Sequence, residues 1–113
     1  MAVADFKVIE HVSFDLIGTG SESRPFELGD LLPGDRSVLA FRVKTDGPKL
    51  KLKFQINGKD LFEQEFEASE RSWHDVVQAG ILKKNTNNTL KVTKSAGAGK
   101  ITVSNIVLYY QGA

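Results

Sequence analysis

Apolar residues in this chain return at every second position, in short runs separated by clusters of glycine, proline, asparagine and aspartate. A period of two belongs to a strand with one buried face and leaves no room for an amphipathic helix of ordinary length. Phe6, Val8, Val12, Phe14 and Leu16 share one parity, with Lys7, His11, Ser13 and Asp15 on the other. Ile9 and Glu10 interrupt that alternation, which predicts a β-bulge. The pattern recurs at Leu39, Phe41 and Val43, at Leu50, Leu52, Phe54 and Ile56, at Phe62 and Phe66, and at Leu90 and Val92. In the final run Ile101 and Val103 face inward, the phase slips at Ser104-Asn105, and Ile106, Leu108 and Tyr110 face inward again, predicting a second bulge. Turn clusters at 18–25, Pro33-Gly34-Asp35, Asp46-Gly47-Pro48, Asn57-Gly58 and 95–99 divide the runs. Short strands spaced by turns imply an all-β sandwich or barrel of about eight strands, with at most a helical turn near 75–81.

One hairpin can be read to the residue. Asn57-Gly58 suggests a two-residue type I′ loop, but its simple register would set Leu52 beside Glu63 on one face. Shifting the pairing by one places Leu50 with Phe66 and Phe54 with Phe62 inside, and Lys49, Lys51 and Lys53 opposite Glu67, Glu65 and Glu63 outside. The loop is therefore odd-numbered or bulged, and the charge ladder reads as a solvated face that discourages edge pairing.

The 113 residues suffice for one core, so residues 1–113 are read as a single domain. Fifteen basic and fourteen acidic side chains leave a net charge of +1, which supplies no overall field to attract nucleic acid or an anionic membrane. The absence of cysteine removes disulfides, thiolate metal sites and a thiol nucleophile. The opening Met-Ala-Val-Ala-Asp-Phe-Lys reads as cytoplasmic, or as extracellular for an excised or processed domain. The two histidines, His11 and His74, stand in no ligand or triad motif, and neither Gly18-Thr-Gly20 nor Gly97-Ala-Gly99 has the spacing of a phosphate loop. No catalytic residues, metal ligands or cofactors are assigned, and a non-enzymatic role is expected. Asn87-Asn88-Thr89 has the form of a glycosylation acceptor but reads as a polar turn.

The segment Gln78-Ala-Gly-Ile-Leu-Lys-Lys-Asn-Thr-Asn-Asn-Thr-Leu-Lys-Val92 resembles the turn and strand of galactose-binding-like jelly rolls, and Ile101–Tyr110 is similar to their closing strand. Together these cover about a third of the chain. The resemblance implies an antiparallel jelly-roll β-sandwich of the kind used by carbohydrate-binding modules, with the amide of Asn88 capping a turn. This chain has Asn85-Thr86-Asn87 where relatives carry glycine, and Asn105 where they carry aspartate, so no metal site is transferred.

The resemblance directs attention to the lone tryptophan. Two roles are open to Trp73: a residue of the core or its margin, or a platform on which a sugar stacks. If successive strands run up and down, one end of the sandwich gathers Glu22, Arg24, Asp46, Glu70, Arg71, Trp73 and His74, a ring with planar groups able to hold paired hydroxyls. The other end offers Asp35, Asn57, Asn85 and Asn87 without an aromatic. The expected function is a non-catalytic, lectin-like module using the first rim. Its partner is a carbohydrate, or a protein if the domain serves assembly, with weak sites multiplied by an oligomer or a host protein.

Overall fold

The computed structural model describes residues 3–112 apart from 19, 30, 33–35, 48, 68–69 and 85, and only the backbone at Val3. The predicted turn Pro33-Gly34-Asp35 and residue Asn85 lie outside the described residues. Nine strands are present among the described residues: β1 (Val3–Glu10), β2 (Phe14–Ile17), β3 (Ser21–Glu27), β4 (Ser37–Thr45), β5 (Leu50–Ile56), β6 (Lys59–Phe66), β7 (Glu70–Val77), β8 (Asn87–Ala96) and β9 (Lys100–Gly112). The helical turn expected near 75–81 is not formed, because β7 continues to Val77 and the chain then turns at Ala79-Gly80.

The strands form two antiparallel sheets. Sheet A has the order β1-β9-β4-β7, with β2 also pairing β9 beyond the end of β1, and sheet B has the order β3-β8-β5-β6. Strands adjacent in sequence lie in different sheets except for the β1–β2 pair on β9 and the β5–β6 hairpin, so the chain crosses repeatedly between layers as a jelly roll does.

Alternation is what places the core. Phe14, Phe41, Phe54, Leu90, Val92, Ile106 and Leu108 are all buried, as their phase in the sequence predicts. Phe41 stacks on Phe54 with centroids 4.4 Å apart, and Phe54 on Phe62 at 4.8 Å, so aromatic contacts join the two sheets at the centre. Both bulges occur. β1 slips against β9 between Val8 and Glu10, and β9 slips against β4 where Asn105 takes a left-handed φ of 52°.

The β5–β6 hairpin reconciles its turn with its hydrophobic pattern. Asn57 and Gly58 have φ of 54° and 78° between the paired Ile56 and Lys59, as a type I′ loop demands, and a bulge at Phe54/Gln55 then moves the pairing by one. Beyond it Phe54 faces Phe62, Lys53 faces Glu63, Lys51 faces Glu65 and Leu50 faces Phe66.

Parity fails in one place. Phe6 is 60% exposed, and Val8 and Val12 are also exposed, whereas Phe14 and Leu16 are buried. The bulge and the break at residues 11–13 separate β1 from β2, so phase is not carried across them, and β1 turns Phe6 and Val8 to the outside of sheet A.

Candidate functional site

The residues expected to form a rim do not come together as one group. Arg24 and Glu22 lie on β3 and Trp73, Arg71 and His74 on β7, the edges of different sheets on opposite sides of the sandwich, since β3 lies over β1 and β7 over β6. The expected turn over 18–25 gives way to β3 at Ser21, so Glu22 and Arg24 sit within a strand, as Arg71, Trp73 and His74 do on β7.

Four of them, Glu22, Arg24, Asp46 and Trp73, have a local structural task. The Arg24 guanidinium donates from Nε to Glu10 at 3.0 Å and from Nη1 to Glu22 at 3.2 Å, and lies 4.8 Å from the centre of the Phe14 ring. Glu10 first, then Glu22, hold it on the charged side, so it works as a clamp between β1 and β3. Asp46 Oδ1 accepts the backbone N–H of Lys100 at 2.8 Å and closes the turn beside it. Trp73 pairs with Phe41 in mid-strand, meets Phe66 edge to face at 5.5 Å, and buries its indole Nε1 without a partner. Its ring is a wall of the core rather than a free platform. Arg71 and His74 are exposed.

The expected role of Asn88 is realised. It is fully buried; its Oδ1 accepts from the Lys83 N–H at 2.8 Å and from Asn57 Nδ2 at 2.9 Å, while its Nδ2 donates to the Lys83 carbonyl at 2.9 Å. Asn57 in turn donates to the Ile81 carbonyl and accepts from the Thr89 N–H, so two amides fasten the hairpin loop to the 81–88 turn. These asparagines are structural.

The outer face of sheet A carries exposed apolar side chains that the core does not account for. Register places Phe6 beside Tyr109, Tyr109 beside Val38 and Val38 beside Val76, an apolar row crossing four strands. The next row is Val8, Val107, Ala40 and His74. Tyr109 is 50% exposed and its ring centre lies 6.4 Å from that of Phe6.

Beside these rows the β9 bulge opens a depression of about 310 Å³ lined by Ala40, Arg42, Ser72, His74, Asn105, Val107 and Tyr109, with Phe41 and Trp73 at its floor. Arg42 donates from Nε and Nη2 to Glu70 Oε1 at 3.0 and 2.7 Å, which fixes its planar group at the far side and holds the Glu70 carboxyl below the usual carboxylate range. The face therefore combines two accessible rings with the planar groups of Arg42, Asn105 and His74. Of these only His74 was singled out from sequence. Tyr109 carried a readable signal, since it alternates with the inward Leu108 and Tyr110.

Among the described residues no group of three or more histidines or carboxylates is gathered to hold a metal ion, and no helix is long and apolar enough to cross a membrane. No protein-family model matches the chain, and no curated protein sequence does. Solved structures do. The chain aligns with dimeric latent PorU from Porphyromonas gingivalis at TM-score 0.68 and 11% identity, over 98% of this chain and 13% of that one. It aligns with the CBM36-1 domain of a multidomain xylanase from the hindgut metagenome of Trinervitermes trinervoides at TM-score 0.61 and 8% identity, over 98% of both chains. A family 35 carbohydrate-binding module from Clostridium thermocellum gives TM-score 0.62 and 11% identity, over 92% of this chain and 97% of that one. The chain has the jelly-roll fold of carbohydrate-binding modules. It is a small part of the length of the PorU chain and nearly the whole length of the two modules, and with both modules the likeness is one of fold.

Proposed function

We propose that this domain is a non-catalytic carbohydrate-binding module whose site is the outer face of sheet A, centred on Tyr109. The observation that carries the reading is the exposed Tyr109–Phe6 pair set beside the depression that holds Arg42, Asn105 and His74. A pyranose ring presents a flat C–H face rimmed by hydroxyls. The C–H face stacks on an aromatic ring while planar side chains take two neighbouring hydroxyls at once. The bulge matters because it turns Asn105 out of the ladder and interrupts the flat sheet, giving the sugar an edge to sit against. Binding at so shallow a face is weak per site, and multiple copies raise it.

The test is calorimetric titration with xylo- and cello-oligosaccharides after a glycan-array screen. Tyr109→Ala should abolish binding with the melting temperature nearly unchanged, because the ring is half exposed. Trp73→Ala should instead lower stability, because its indole packs on Phe66. Equal binding by Tyr109→Ala and wild type would refute the site. A second reading, a docking face for another protein, is favoured by the row Phe6, Tyr109, Val38 and Val76, in which the tyrosine hydroxyl is the sole polar side-chain group. A glycan screen without a hit would move that reading ahead.

A further inference from the structure

The four lateral edges of the sandwich are not equally protected. β3 carries Pro25, β6 is bulged and lined by Asp60, Glu63 and Glu65, and β1 slips at Val8/Glu10. β7 lacks the proline and the bulges, and its charges, Glu70, Arg71 and Asp75, are of both signs. It pairs with β4 from Ser37↔Val77 to Lys44↔Glu70 without a register shift, contains neither proline nor lysine, and among the described residues no strand pairs its other side.

Its backbone is turned outward in a defined phase. The Val76 N–H donates to Oδ1 of its own neighbour Asp75 at 2.8 Å instead of entering the ladder with β4. In an antiparallel strand alternate residues share that direction, so Ser72 and His74 also present their N–H and C=O groups to the free edge. The side chains of Arg71, Trp73 and Asp75 alternate with these, and among the described residues the Arg71 guanidinium meets no carboxylate.

From this geometry we propose that β7 pairs with β7 of a second copy of this chain, antiparallel about a two-fold axis at Trp73. Two-fold pairing requires the residue numbers of opposed positions to sum to a constant, and same-face packing requires that sum to be even. Centring on Trp73 sets Arg71 opposite Asp75 of the second copy and Asp75 opposite Arg71 of the second copy, two opposite-charge pairs flanking two tryptophans. Centring on Ser72 or His74 instead leaves both charges facing apolar or aromatic side chains or lying beyond the overlap. In the chosen register Ser72 and His74 exchange backbone hydrogen bonds across the axis. Val76 does so with Glu70, and its N–H releases the Asp75 carboxylate for the arginine. β1 has a comparable Asp5/Lys7 pattern around Phe6, but Asp5 also accepts from the Tyr110 hydroxyl, and the straight run ends at Val8. The β7 edge gives up only a bond that the pairing replaces. The result joins the two A sheets into one and brings the Ser72 and His74 ends of both grooves to the axis. It does not depend on the sugar reading.

Sedimentation velocity from about 1 µM to about 1 mM protein tests this, a range that brackets ordinary self-association. Wild type should pass from monomer to dimer. Arg71→Asp and Asp75→Arg should each raise the dissociation constant by about tenfold or more, since each replaces two attractive pairs by two like-charge pairs. The double variant Arg71→Asp/Asp75→Arg should recover the wild-type constant, an outcome misfolding cannot imitate. Tyr109→Ala should dimerise like wild type. A monomer throughout the range, assemblies that grow beyond the dimer, indifference to the single reversals, failure of the double variant to recover, or a dimer broken by Lys7→Asp would each overturn the proposal.

Discussion

The two solvent-facing sheets of this sandwich carry opposite chemistry at equivalent positions. In sheet B one row runs Ser21, Thr93, Lys53 and Glu63 across four strands; in sheet A the row runs Phe6, Tyr109, Val38 and Val76. Both rows lie outside the same core, so burial on folding does not explain the difference. Sheet B shows what an outer face needs for solubility alone: short polar side chains on the edge strand β3, and lysines of β5 opposite glutamates of the edge strand β6. The apolar row of sheet A is surplus to folding, which is why the proposed site lies there.

The contrast can be broken first at the core. Phe54→Ala should cost about 3 to 5 kcal/mol, because the ring is fully buried among Phe41 and Phe62 and leaves a cavity between the sheets. Tyr109→Ala on the outer face should cost well under half of that. Denaturant melts that lowered both equally would mean sheet A's outer face is structural after all. On the edge strand β6 of sheet B, Glu65→Ala should change stability by less than about 1 kcal/mol, since it removes one exposed partner of Lys51. A larger loss there would give sheet B a covering partner too. The smallest expected effect is in the pH dependence. Arg42 depresses the folded-state value of Glu70, so the stability from this pair is complete above the ordinary glutamate value of 4.5 and fades as pH falls through the depressed one. Glu70 is exposed, so wild type and Glu70→Gln should differ only slightly above that value and converge in acid, as melts from pH 7 to about pH 2 would show.

What sequence could and could not disclose follows the same division. Inward phase is enforced by burial, so the seven core positions, both bulges and the hairpin register were readable from alternation alone. The amide of Asn88 was readable from the resemblance of its turn, and its burial beside Asn57 bears it out. The outer face was not, because no energetic rule obliges an exposed position to be polar. Phe6 and Val8 were grouped with Phe14 and Leu16 across a break that resets the phase. The role of Trp73 stayed open between core margin and platform, because the polar Glu70-Arg-Ser72 hides the start of β7. The proposed site also depends on which strands are neighbours. Tyr109, Arg42 and His74 come from three strands whose adjacency no local pattern records.

Strand β9 pairs with β1, β2 and β4, and so forms the spine of sheet A. Its residues, Lys100–Gly112, are made after those of the eight other strands. A ribosome making this chain thus releases the β5–β6 hairpin early, able to close on its own loop, while β1, β2 and β4 wait with their apolar faces uncovered. Apart from the β4–β7 pair, sheet A then assembles in one late event whose pairings span most of the chain, which places the domain among slow folders that rely on non-local contacts. A chain stopped at Gly99 should therefore show little sheet A structure and bind chaperones that recognise exposed apolar strands. The thirteen residues of β9 act as a checkpoint on sheet A, since the outer face that carries the proposed site does not exist until they arrive.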